Sequence, residues 1–118
     1  MKTIIGADGN RLEDIVAKRF GHADYYLIYD HNDKTYSAIK NIEELHDHDN
    51  LRDFVASGVN NFVVGNIGPH AFTILKEKKS HIFLARKMKV IDAIEKLESG
   101  ELKELSEPTV KKSIGHDH

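Results

Sequence analysis

Two glycine-containing stretches and a run of histidines carry the residue types from which a binding site can be built. Gly65-Asn66-Ile67-Gly68-Pro69-His70-Ala71-Phe72 follows a short apolar run, and Pro69 stands where a helix would begin. The first N–H groups of a helix have no internal partner and the helix dipole is positive there, so such an end can cradle an anion or an electron-rich group. Gly68 admits close approach to the backbone, and His70 adds a side chain in the first turn. Gly-Pro also starts helices that bind nothing, and no Walker lysine follows. Phe20-Gly21-His22-Ala23-Asp24 precedes a strand. Core filling by Phe20 and a bend at Gly21 account for that stretch as well as a ligand at His22 does.

His46-Asp47-His48-Asp49 places two histidines at i and i+2. On an extended chain they share a side and can chelate one ion, whereas on a helix they diverge. A polar loop whose acids favour the following helix start explains the same residues. His116-Asp117-His118 repeats the pattern at the end of the chain. Asp8 ends the first strand, and its carboxylate serves either the cleft or the turn backbone. His31 in a turn and His81 at a strand start have no evident partner in the sequence.

The chain holds eight histidines and no cysteine. Disulfides, thiolate nucleophiles and all-cysteine metal sites are thereby excluded, and a metal would rest on imidazole and carboxylate. No Ser-His-Asp order and no carboxylate pair of the hydrolase kind is present, so no catalytic residue is assigned and the chain is not read as an enzyme. With 118 residues and a formal net charge of −2, it fits one domain whose field favours neither nucleic acid nor an anionic membrane. No apolar run approaches the ~20 residues of a bilayer span, and Met1 to Gly6 lacks a signal-peptide pattern, so a cytoplasmic location is expected.

The elements that must position these residues follow from the hydrophobic pattern. Lys2–Ala7 predicts a strand ending in a turn at Gly6-Ala7-Asp8-Gly9-Asn10. Leu12, Ile15, Val16 and Phe20 have helical spacing, which predicts a short helical turn and then a loop. Tyr25–Asp30 and Thr35–Lys40 predict a hairpin. Leu51, Phe54 and Val55 behind Asn50 predict a helix that Gly58 stops. A strand is predicted from Asn61 to Gly65, a helix from Pro69 to about Lys79, and a strand from His81 to Ala85. A last helix is marked by Val90, Ile91, Ile94 and Leu97 and closed by Ser99-Gly100. Periodicity is lost after residue 101. The order β-β-β-α-β-α-β-α predicts an α/β fold in three layers. Its five-stranded mixed sheet would carry one antiparallel strand, with strand 1 central and a topological switch point at the carboxyl ends of strands 1 and 4.

Two of these stretches together resemble a known family. Phe20 to Ile28 is similar to the FGxAxYFxI signature of the dinitrogenase iron–molybdenum cofactor biosynthesis family, and Gly65 to Phe72 to its GGIGPNAF signature. The resemblance runs from Met1 to Pro108, leaving 109–118 as a flexible, histidine-bearing tail. It looks like NifX and the C-terminal part of NifB. It implies a ribonuclease-H-like fold and the binding, carriage or handover of iron–molybdenum cofactor or an iron–sulfur precursor, possible also outside nitrogen fixation. Asn66 stands where the signature has a second Gly, which would narrow the cleft, and His70 stands where Asn is common. Nuclease chemistry is discounted, because it needs several carboxylates around two divalent metals and Asp8 alone lies near the central strand.

The resulting expectation is a binding or carrier domain. Asp8, Gly21, His22, Asn66, Ile67, Gly68 and His70 would line the cofactor site, and His22, His70, His46 and His48 would supply metal ligands. A metal cluster or cofactor, and a protein that donates or accepts it, would be the partners, with neither nucleic acid nor membrane among them. The alternatives are a simple zinc or nickel binder working through its histidine loops, and a metal-free regulatory interaction domain.

Overall fold

The computed structural model describes residues 1–41 and 49–110. His46 and His48, and the segment carrying His116 and His118, lie outside the described residues.

Strand β1 (Lys2–Ala7) is central, and β2 (Tyr25–Asp30) and β3 (Thr35–Lys40) follow as a hairpin. Helix α1 (Asp49–Ala56), β4 (Val59–Val64), α2 (Pro69–Glu77), β5 (His81–Leu84), α3 (Val90–Glu98) and β6 (Lys103–Glu104) complete the order. The sheet has six strands in the order β3-β2-β1-β4-β5-β6, one more than the five expected. The parallel neighbours are β1, β4 and β5. Both β2 and β6 run antiparallel to their inner neighbours, so the expectation of a single antiparallel strand is also corrected. The sixth strand escaped notice because its two charged residues carry no alternation; Leu105 beside it is buried, with its N–H on Ile82 O at 2.7 Å.

Two apolar clusters cover the sheet. Ile4, Tyr26, Phe62, Val64 and Ile82 face α2 through Phe72, Ile74 and Leu75, with Phe54 and Val55 of α1 packed alongside. Ile5, Leu27, Tyr29 and Val63 face Val90, Ala93 and Ile94 of α3. Helices therefore lie on both faces, as parallel crossovers require. Gly58 ends α1 at φ +101°, a left-handed conformation that side chains resist.

The segment between β1 and β2 forms no helix over Leu12–Arg19. Val16 pairs with Ala7, Asp8 N–H donates to Ile15 O at 2.9 Å, and Ala17 N–H donates to Gly6 O at 2.8 Å. On its other side the segment pairs with residues 88–91: Ile15 bridges Lys89, and Val16 N–H reaches Met88 O at 2.9 Å. Helical spacing misled here because the apolar residues serve two faces. Leu12 and Val16 join the α3 side, whereas Ala17 and Phe20 join the α2 side. The chain thus passes over the end of the sheet between its two cores.

Candidate functional site

The carboxyl ends of β1, β4 and β5 point the same way, so the loops after them, 8–24, 65–68 and 85–89, share one edge of the sheet. A short 3₁₀ turn, Phe20–His22, stands within the first loop. Its anchor is aromatic. Phe20 is 1% exposed and its ring lies 5.1 Å from Tyr26 and 5.9 Å from Phe62. The Tyr26 hydroxyl donates to Phe20 O at 2.8 Å, and its burial raises the phenol well above its ordinary range. His22 at the end of this turn is exposed, and an alanine at Gly21 would meet open space.

The two sequence stretches meet through the backbone, with Phe20 N–H donating to Asn66 O at 3.0 Å. Gly65 fits because its Cα lies against the carbonyls of Ala17 and Lys18; a Cβ would come within 2.8 Å of Lys18 O and closer still to Ala17 O. The side chain of Asn66 has partners in both neighbouring loops. Its Nδ2 donates to Lys18 O at 3.0 Å, and its Oδ1 accepts from Arg86 Nη2 at 2.6 Å. Arg86 Nε also donates to Gly65 O at 2.9 Å, so one amide and one guanidinium tie all three loops together.

Ile67 is held within the fold on both its side chain and its backbone. Its side chain is buried in the core, and its N–H donates to Thr109 Oγ1 at 2.8 Å. Its carbonyl accepts from the N–H groups of Thr109 at 3.1 Å and Val110 at 3.3 Å. The backbone of Ile67 is therefore occupied by the chain's own C-terminal segment, and the first two residues expected in a free tail are docked. Gly68 caps α2 without a side-chain hydrogen bond, and Phe72 N–H takes its carbonyl at 3.1 Å. His70, the second residue of α2, is exposed.

Asp8 is exposed, yet its carboxyl is pushed up, first by partial desolvation and then by the charges of Asp24 and Asp14. Asn41, the last described residue before Asp49, is fixed at this same edge: its N–H donates to Asp24 O at 2.9 Å and its Nδ2 to Ala23 O at 2.8 Å. The structure thus brings the segments of Asp8, His22, Asn66, Gly68 and His70 to one edge. Among the described residues there is no group of three or more His, Asp or Glu able to hold a metal ion.

Arg86 and Thr109 were missed from the sequence. A basic residue two positions after the third parallel strand was the available signal for Arg86; nothing local marked Thr109, which contacts a residue 42 positions away.

The family model for dinitrogenase iron-molybdenum cofactor matches residues 1–100. The chain belongs to this family. Comparison with curated proteins gave no match. Among solved structures, the apo orange protein of Desulfovibrio gigas is similar in fold, with a TM-score of 0.83 at 19% identity over 92% of this chain and 96% of that one. A Thermotoga protein described as a NifB candidate of the DUF35 family has a TM-score of 0.79 at 26% identity, covering 97% of this chain and 98% of its own. A Methanocaldococcus jannaschii protein described as a dinitrogenase has a TM-score of 0.72 at 26% identity, over 92% and 97% of the two chains. In common with these relatives, the family's fold here is a mixed α/β sheet, and the chain spans nearly all of each. No helix among the described residues is long and apolar enough to cross a membrane.

Proposed function

We propose that this member of the family is a binding and carrier domain whose cargo is iron–molybdenum cofactor or an iron–sulfur precursor of it, and that it performs no catalysis on that cargo. The cargo would sit on the carboxyl edge of the sheet. The observation that carries this reading is the bond from Phe20 N–H to Asn66 O, which joins the two signature stretches and sets the turn of His22 beside the turn that leads to His70. The family match supports the class of cargo.

The donor set suits a labile hold. With no cysteine in the chain, a cluster would be met by the imidazoles of His22 and His70 and by the N–H groups at the start of α2, which Gly68 leaves without a side-chain cap. Asp8 and Gly21 would border the cargo, and Asn66, with Ile67 and Gly68, would hold the shape of the turn. His46 and His48 are proposed as second contributors, since they come soon after Asn41 in the sequence and Asn41 is held at this edge. Release to an acceptor protein is easier from two imidazoles than from thiolates, because neither ligand carries a charge that must be separated from the metal.

The test is anaerobic reconstitution with an iron–sulfur cluster, read by elemental analysis and visible absorption. The wild-type chain is expected to retain iron and the chromophore through gel filtration. His22→Ala combined with His70→Ala should lose both while keeping its circular dichroism. Equal retention by this double variant would remove the site. Retention that instead vanishes on deleting residues 113–118 would favour the zinc- or nickel-type chelation by the histidine segments.

A further inference from the structure

The two outer strands of the sheet are finished differently. On one side β6 has two residues, both charged, which blunts that edge against further pairing. On the other side β3 has six residues, Thr35 to Lys40, all exposed, and its single charge is at the end. Of the exposed large apolar residues among those described, Tyr36 at 40% and Ile39 at 43% both lie on this strand.

The outward-facing backbone groups of β3 follow from the ladder. Asn41 N–H donates to Asp24 O at 2.9 Å, and this pair continues the β2–β3 register of Tyr25 with Lys40. Hydrogen-bonded pairs alternate along an antiparallel ladder, so Thr35, Ser37 and Ile39 bond inward to β2. The N–H and C=O groups of Tyr36, Ala38 and Lys40 therefore point away from the sheet.

A second β3 can meet these groups antiparallel only in registers that oppose residues of this outward set. Shifting the pairing so that Tyr36 meets Ala38 sets Lys40 against Lys34, a like-charge opposition at both ends. The register centred on Ala38 has no such clash. It places the small Ala38 against its own counterpart and Lys40 against Tyr36 on one face, where an ammonium can lie over an aromatic ring. On the other face Ser37 meets Ile39, and the two Ile39 side chains become diagonal neighbours across the two-fold axis.

We propose that the chain forms a two-fold symmetric dimer by pairing β3 antiparallel with β3 of a second copy, Ala38 opposite Ala38. Two six-stranded sheets then become one continuous sheet, with each repeated contact made twice as an isologous interface requires. Because the paired strands run in opposite directions, the carboxyl edges of the two copies face opposite ends of the dimer, and both remain open.

Sedimentation equilibrium of the full chain up to near-millimolar concentration tests this. The wild type is expected to associate to a dimer. Ala38→Pro removes an outward N–H without touching the bonds to β2 and should give a folded monomer. Tyr36→Lys opposes lysines at two places and should weaken the dimer by roughly tenfold or more. Adding Lys40→Glu to that variant converts both oppositions to ion pairs and should restore it. Should Ala38→Pro fail to fold, this charge exchange alone decides. A wild type monomeric throughout overturns the proposal, as does a dimer indifferent to all three variants. So does a monomer whose edge accepts an extended peptide from another protein.

Discussion

At the amino edge of the sheet, polar side chains are joined in closed sets. Thr3, fully buried, has its hydroxyl 2.7 Å from His31 Nε2, and His31 Nδ1 lies 2.8 Å from the Glu98 carboxylate. The carboxylate fixes the proton on Nδ1, so in the neutral ring Nε2 accepts from the Thr3 hydroxyl. Tyr29 meets the same imidazole edge-on at 4.9 Å. The turn nearby is held by Asp30, whose carboxylate accepts from the N–H of Asn32 at 2.9 Å. His81 likewise has a partner, Glu104 at 2.8 Å. At the carboxyl edge the ties run between loops, through Asn66, Arg86 and the backbone of residues 12–20, while the charges of Asp24 and Asp14 bear on Asp8 and add to its desolvation. One end is arranged to hold the fold. The other keeps the Asp8 carboxylate in a less favourable state, which is where a protein gives up stability for a task.

The largest effect should come from the tightest packing at the carboxyl edge. Gly65→Ala forces a Cβ onto two backbone carbonyls that cannot rotate away, and segment 17–20 must lift from the Gly65-Asn66 turn. An overpacking cost of about 3 kcal/mol is expected, read by denaturant unfolding. A loss below about 1 kcal/mol would mean that the strap yields easily and that this edge is softer than the contacts imply. Next in size, and at the other edge, His31→Ala strands the buried Thr3 hydroxyl. That should cost about 2 kcal/mol, and adding Thr3→Val should recover part of it, because a buried hydroxyl without a partner is worse than none. No recovery would show that His31 matters through its contact with Tyr29 rather than through the relay.

Much of the frame was legible because local signals agreed with the fold. The continuous apolar and aromatic run of Tyr25–Asp30, Pro69 at a helix start, and Gly58 and Gly100 at helix ends each carried their own mechanism, and the central position of β1 followed from the hairpin and the parallel crossovers. The meeting of the Phe20 and Gly65 stretches was legible for the same reason. What stayed hidden depends on distant partners. His31 read as an idle turn residue, yet its partners are 28 and 67 positions away. Arg86 reaches Asn66 across 20 positions and Thr109 reaches Ile67 across 42. The apolar spacing of Leu12 to Phe20 had the period of a helix because a strap feeding two cores in turn produces a similar pattern.

The smallest effects should carry the sharpest contrast, because two aspartates at opposite edges must respond to acid with opposite sign. Asp8 has its carboxyl raised by desolvation and by Asp24 and Asp14, so ionisation is harder in the fold than in the unfolded chain. The fold is favoured while Asp8 is protonated, and that advantage is lost as pH rises through its raised value. Asp8→Asn should therefore raise the thermal midpoint near pH 7, and the gain over wild type should fade towards pH ~3, where both states hold the proton. Asp30 is lowered, first by the N–H of Asn32 and further by the N–H of Asp33 and by nearby positive charge. Its stabilisation is present above the ordinary carboxylate range and is lost as pH falls through the lowered value. Asp30→Asn should lower the midpoint near pH 7 and become neutral towards pH ~3 or below. Measured in parallel, the two curves should lie on opposite sides of wild type and converge on it in acid. If Asp8→Asn lowers the midpoint at neutral pH as Asp30→Asn does, then the carboxyl edge carries no electrostatic penalty at Asp8, and acid does not distinguish it from the amino edge.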